Sequence, residues 1–142
     1  MRRRGLQMTD TPPEGFQPLA LGDGYIGHNG PFYWRQDVDG RAEFGFLSDA
    51  RHGNPNGVLH GGAILAFLDT ILGFAVVLEA QRRCATVSFD SRFVGTVAPG
   101  AWITGRTTIR KVSRSLAFVD GEALADDKLL VTASAVFRVF EA

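Results

Sequence analysis

Gly62-Ala63-Ile64-Leu65-Ala66-Phe67-Leu68-Asp69-Thr70-Ile71-Leu72-Gly73-Phe74-Ala75-Val76-Val77-Leu78 contains a single charge, Asp69. Its length and lack of Pro predict one long helix, over about residues 62–81. Apolar residues fall on nearly every face of that helix, so other structure should enclose it. A carboxylate on such a helix costs several kcal/mol to desolvate unless a partner or water reaches it. The apolar stretch from Ala63 to Leu78 is shorter than the roughly 18–20 residues a bilayer span needs, and it includes an acid and a glycine. It reads as a core helix. Just before it comes Asn54-Pro55-Asn56-Gly57-Val58-Leu59-His60-Gly61-Gly62, a glycine-rich loop with two amides and an imidazole. The first backbone N–H groups of a helix lack intrahelical partners. Together with the lone acid further along, they suggest an active site.

Working outward, Phe32–Gln36 and Arg41–Leu47 flank Asp37-Val38-Asp39-Gly40, which predicts a β-hairpin. Residues 48–61 read as a loop punctuated by Gly53, Pro55 and Gly57. From Cys84 the chain is rich in strand formers. Val87, Phe89, Ser91 and Phe93 should share one face of a strand, with Ser88, Asp90 and Arg92 on the other. Gly95–Gly100 breaks that strand, and strands follow at about 101–112, 115–125 and 129–140. The order predicts a hairpin, one helix and then a meander of four strands. A helix this apolar requires the sheet to curl around it. The expected class is α+β, with residues 1–24 an irregular arm and residues 25–142 a single domain.

The composition narrows the function. The chain has 142 residues, is 45% hydrophobic and 21% charged, and its 15 basic and 15 acidic residues cancel. That balance lacks the one-sided basic surface that nucleic acid or an anionic membrane would select. Arg2-Arg3-Arg4 has no apolar stretch after it and so does not read as a signal peptide; Met8 is an alternative start. The lone cysteine, Cys84, excludes an internal disulfide and fits a reducing cytoplasm; it reads as a small packing residue at the start of a strand. His28, His52 and His60 lack metal-ligand spacing, so neither a metal nor a separate cofactor is expected.

From Asn54 to Gly73 the pattern is N-x-x-x-x-x-H-G-G-x-x-x-x-x-x-D-x-x-x-G. It resembles the phenylacetate-pathway type of hotdog-fold acyl-CoA thioesterases, and the likeness extends through Val87-Ser88-Phe89-Asp90 and the later strands. It covers roughly residues 30–142. The resemblance implies a hotdog fold, hydrolysis of acyl-CoA thioesters and a homodimer at minimum, in this family a homotetramer built as a dimer of dimers. Coenzyme A would be part of the substrate.

Thioester hydrolysis needs a polarised carbonyl, a nucleophile and room for a leaving thiolate. Glycines at 61 and 62 let backbone N–H groups at a helix start approach an oxyanion; the resemblance gives this role to the Gly61 amide. The same glycines could merely permit a tight turn. Asp69 would act as a general base on water or attack the carbonyl itself, or else hold a dimer contact. A helix rise of about 1.5 Å per residue separates Gly61 from Asp69 by about 12 Å, too far for both to touch one carbonyl. A site using both therefore spans two subunits.

Gly73, one turn beyond Asp69, would leave space for substrate or for close helix packing. The resemblance gives Asn54 the nucleophilic water or the thioester, His60 support of Asn54 or of the carbonyl, and Ser88 orientation of the nucleophile. Each could instead be an ordinary turn, loop or strand residue. Arg92, Arg110, Lys111 and Arg114 are candidates for the phosphates of CoA, or are simply solvated edge charges. Phe67, Leu68 and Phe93 are candidates for contact with the acyl chain. The competing function is a non-catalytic acyl-CoA-binding module on the same fold.

Overall fold

The computed structural model describes residues 11–142; Arg2-Arg3-Arg4 and Met8 lie outside the described residues. In chain order the elements are β1 (Gln17–Pro18), α1 (Tyr25–Asn29), β2 (Phe32–Gln36), β3 (Ala42–Leu47), α2 (Gly61–Ala80), β4 (Cys84–Phe93), β5 (Trp102–Val112), β6 (Leu116–Ala125) and β7 (Lys128–Val139), with a 3-10 turn at Ala50–His52. All strands join one antiparallel sheet in the order β1-β2-β3-β5-β6-β7-β4. The predicted hairpin is β2–β3. Asp37 Oδ1 closes its turn by accepting from the Asp39 and Arg41 amides at 2.9 Å each, and Gly40 supplies a φ of +78°.

The expected four-strand meander is corrected to three strands, β5-β6-β7. β4 pairs with β7 along the far edge, from Cys84↔Val139 to Phe93↔Val131. The link after it is a crossing rather than a tight turn. Val94 and Gly95 donate to the Leu130 carbonyl, the Val97 carbonyl accepts from the Leu59 amide, and Gly100 donates to the Ser48 carbonyl. This crossing ties the pre-helix loop to the sheet and so fixes where α2 begins.

α2 buries Ile64, Phe67, Leu68, Ile71, Leu72, Ala75 and Val76, positions that recur every three or four residues. They meet Phe32, Phe44, Phe46, Ile103, Val119, Ala133, Ala135 and Phe137 in one core. Each large side chain fully buried there stabilises by about 1.5–3 kcal/mol. The sheet approaches closely because its concave face carries glycines. A Cβ on Gly121 would lie 2.7 Å from Leu72 Cδ2, and one on Gly105 would lie 2.8 Å from Phe67 Cζ.

α2 is not enclosed within the chain. Gly62, Asp69, Val77, Leu78 and Glu79 are exposed, because the sheet covers one side of the helix only. Its 20 residues are long and apolar enough to cross a membrane, yet seven of them are core residues of this fold.

In β4, Phe89, Ser91 and Phe93 share one face and Ser88, Asp90 and Arg92 the other, as expected, but a β-bulge between Thr86 and Ser88 removes Val87 from the first group. Cys84 and Thr86 pair with Val139 and Phe137, both buried. Beyond the bulge, Phe89 and Ser91 pair with Ala135 and Ala133 on that same concave face. Val87 is the inserted residue and is 61% exposed. An extra residue in one strand reverses the alternation that follows it.

Candidate active site

The start of α2 is built by local hydrogen bonds. The Asn54 amide donates to the Val58 carbonyl at 2.9 Å, while Asn54 Oδ1 accepts from the Asn56 and Val58 amides at 2.9 and 3.3 Å. Asn54 thus shapes the loop with its oxygen, and its Nδ2 donates to no protein group among the described residues. His52 is buried. Its Nδ1 accepts from the Asp49 amide at 3.0 Å and its Nε2 donates to the Asn29 carbonyl at 2.6 Å, so both ring nitrogens are engaged as in a neutral imidazole. The His52 carbonyl accepts from the His60 amide at 2.7 Å, which sets the approach of the chain to the helix.

His60 is the N-cap of α2, with φ −64° and ψ 132°. Its Nδ1 accepts from the Gly62 amide at 2.8 Å. The Gly62 N–H is therefore already satisfied, which removes it as a second oxyanion donor. The Gly61 N–H has no partner among the described residues and keeps the positive end of the helix dipole. A Cβ on Gly61 would sit 3.0 Å from the Phe93 ring, so glycine lets that ring pack closely at the helix start.

Two turns on, Asp69 is exposed, and the expectation that the chain itself shields this acid is corrected. Thr86 Oγ1 donates to Asp69 Oδ1 at 2.6 Å. Thr86 is a site residue that sequence reading missed, because the bulge turns it rather than Ser88 toward the helix. Ser88 pairs with Val136 on the convex face, away from Asp69. Beside the carboxylate lies a cavity of about 440 Å3 lined by Gly73, Phe74, Val77, Cys84 and Phe137. Burial first, and then the negative charge of Asp69, push the Cys84 thiol above its ordinary range, so Cys84 stays protonated at neutral pH.

Phe67 and Leu68 are fully buried against the sheet and are not among the residues that line this cavity. Phe93 stands by Gly61 instead. A larger cavity of about 750 Å3 lies beside Asn54, and two of its polar side chains are already used. Arg51 is bonded to Asp49 and to the His28 and Gly30 carbonyls, and Ser48 Oγ donates to the Ala101 carbonyl at 2.6 Å.

The four candidate cations have separate partners. Arg92 pairs with Thr132 on the convex face. Arg110 donates to Asp120 Oδ2 at 2.6 Å, Lys111 stands opposite Phe118, and Arg114 is at the β5–β6 turn, 3.4 Å from Glu141. The Arg114 carbonyl accepts from Arg82, which places this turn by the C-terminal end of α2, away from Gly61.

The Thioesterase superfamily matches residues 56–132. The Pseudomonas aeruginosa protein named "Putative esterase PA0474" is 31% identical over 129 residues, which is 89% of this chain and 96% of that one. A phenylacetic acid degradation-related protein of Ralstonia eutropha superposes with a TM-score of 0.70 and 27% identity, over 87% of this chain and 92% of its own. BH2602 of Bacillus halodurans, solved with CoA, shares the fold with a TM-score of 0.70 at 20% identity, over 77% of this chain and 74% of its own. One long helix held in a curved antiparallel sheet is the hotdog fold that the motif implied. The match spans more than half of the sequence, from Asn56 in the loop before α2 through the whole helix and beyond, and so the chain belongs to the thioesterase superfamily.

Proposed function

We propose that the protein hydrolyses acyl-CoA thioesters at a site shared by two subunits, with Asp69 of one chain and the Gly61 N–H of the other. The observation that carries this reading is the pairing of an accessible, Thr86-held carboxylate with an unpartnered helix-start amide about 12 Å away along the same helix. Two copies related by a twofold axis, with their helices antiparallel, would bring each to the other. The outer edge of β4 supports such a dimer. It is ten residues long, unpaired on one side, and bears the exposed apolar residues Val87 and Phe93, with Val94 just beyond; free edges of this kind are usually covered. A further pairing of dimers would give the homotetramer that the resemblance implies. The CoA-bound relative supports a CoA thioester as substrate.

In the general-base route, Asp69 takes a proton from water as the water oxygen bonds to the thioester carbon. The carbonyl oxygen becomes an oxyanion held by the partner's Gly61 N–H. Collapse breaks the C–S bond, and the proton on Asp69 goes to the leaving thiolate, giving free acid and CoA. In the alternative route the Asp69 carboxylate bonds to the thioester carbon and expels CoA as its thiolate, which takes a proton from solvent, and water then cleaves the mixed anhydride to the free acid and Asp69. Asn54 Nδ2 and His60, on the loop that carries Gly61, would hold the water or the carbonyl.

The test is release of free thiol from a panel of acyl-CoAs. Asp69→Asn is expected to lower kcat by about 10²–10⁴, the usual contribution of a positioned base, with the oligomer intact by sedimentation. Full activity in that variant refutes the assignment. Binding of acyl-CoA without thiol release by the wild type would favour the non-catalytic module.

A further inference from the structure

The cavity beside Asp69 has a chemical character that the hydrolase reading does not specify. Its walls are Leu21, Gly73, Phe74, Val77, Cys84 and Phe137, and its charged member is Asp69 itself. None of the lining residues is a cation. At about 440 Å3 it falls within the range of small-ligand sites, about 300–1,000 Å3. It runs along the groove between α2 and the inward side of β4, starting from the carboxylate. Gly73 keeps it open, since a Cβ there would stand 3.2 Å from Phe137 Cε1 and 3.9 Å from Cys84 Sγ.

We infer that this groove holds the acyl group of the substrate and selects an uncharged alkyl or aryl acyl over one that ends in a carboxylate, with Val77 at the rim as a specificity-determining residue. The inference rests on the thioester-hydrolase reading of Asp69. A thioester carbon within reach of Asp69 places its acyl substituent against Gly73 and Cys84. An ω-carboxylate in that groove would lose water, find no cation and face a like charge. Burial and Asp69 already disfavour a negative charge at Cys84, the same penalty such an acyl end would meet. Val77 is 39% exposed, so its side chain can change without repacking the core.

The experiment compares hexanoyl-CoA with adipoyl-CoA, equal in chain length and different in terminal charge, by free-thiol release. The wild type is expected to favour hexanoyl-CoA at least a hundredfold in kcat/KM. Val77→Lys is expected to move the adipoyl/hexanoyl ratio at least tenfold toward adipoyl. Equal rates in the wild type, or no change of ratio in the variant, overturn the inference and leave hydrolysis standing. Should neither thioester be cleaved, calorimetry with the uncleavable thioethers S-hexyl-CoA and S-(5-carboxypentyl)-CoA separates the two readings. Tighter binding of the hexyl compound keeps the groove assignment while hydrolysis fails; equal binding or none overturns the groove as well. Dissociation of the oligomer by Val77→Lys, seen by sedimentation, would assign the groove to a second copy of the chain and also overturn the inference.

Discussion

Thr86 shows how one side chain can decide a site. Its hydroxyl spends its proton on Asp69 Oδ1, which fixes the rotamer of the carboxylate and leaves Oδ2 for water or substrate. A hydrogen bond to a charged group is worth about 1.5–3 kcal/mol. Thr86→Val, which keeps the shape and removes the donor, is therefore expected to lower kcat about tenfold with little change in KM, and Thr86→Ser should restore most of it. Equal loss in both variants would mean that the methyl group, and not the hydroxyl, is what matters. Asp69 and Gly61 stand out in the sequence as candidates because their residue types are conspicuous where they stand: one acid in an apolar run, one glycine pair at a helix start. Thr86 was not legible. A single inserted residue, Val87, reverses the side-chain alternation of β4, and nothing in Thr86-Val87-Ser88 announces it.

The same division holds for the elements. The hairpin, α2 and the last three strands fall close to their expected bounds because turns and apolar runs mark them locally. The buried side of α2 could not be read, since a helix apolar all round has no periodicity to choose a face. The choice is made by the concave glycines of the sheet. Gly105→Ala would drive a Cβ into Phe67 and Ile71, and is expected to cost about 1–3 kcal/mol by overpacking, read as a lower denaturation midpoint at unchanged slope. The convex side is held differently, by cross-strand charges. The hydrogen bond from Arg110 holds Asp120 below its ordinary value of 3.8, against an opposing effect of burial, and Ser134 adds a second bond. The folded form thus binds fewer protons than the unfolded one. The stabilisation is complete above the unfolded pKa and is lost as pH falls through the folded one. Thermal melts from pH 6 down to pH 2 should show a steeper acid decline in the wild type than in Asp120→Asn; parallel curves would show that the Arg110 contact adds nothing.

For the molecule as a whole, the sheet order was the least legible feature, because the pairing of β4 with β7 joins residues far apart in sequence, from Cys84 with Val139 to Phe93 with Val131. That order has a functional consequence. It leaves β4 on the edge, next to the open face of α2, and in the proposed site the half that a single chain lacks would come from a second copy. Subunit complementation tests this directly. Gly61→Pro deletes the proposed donor, yet proline is well tolerated at the first helical position, and His60, with ψ of 132°, already has the backbone that a residue before proline prefers. Gly61→Pro and Asp69→Asn should each be nearly inactive alone. When the two are co-expressed under different tags, each hybrid dimer contains one site with an intact Gly61 facing an intact Asp69, and one site with neither. Random pairing should then restore about a quarter of wild-type activity, as twofold symmetry requires, and purified hybrids about half. If Gly61 and Asp69 of the same chain served one site, every hybrid site would keep one defect and activity would stay at the level of the single variants.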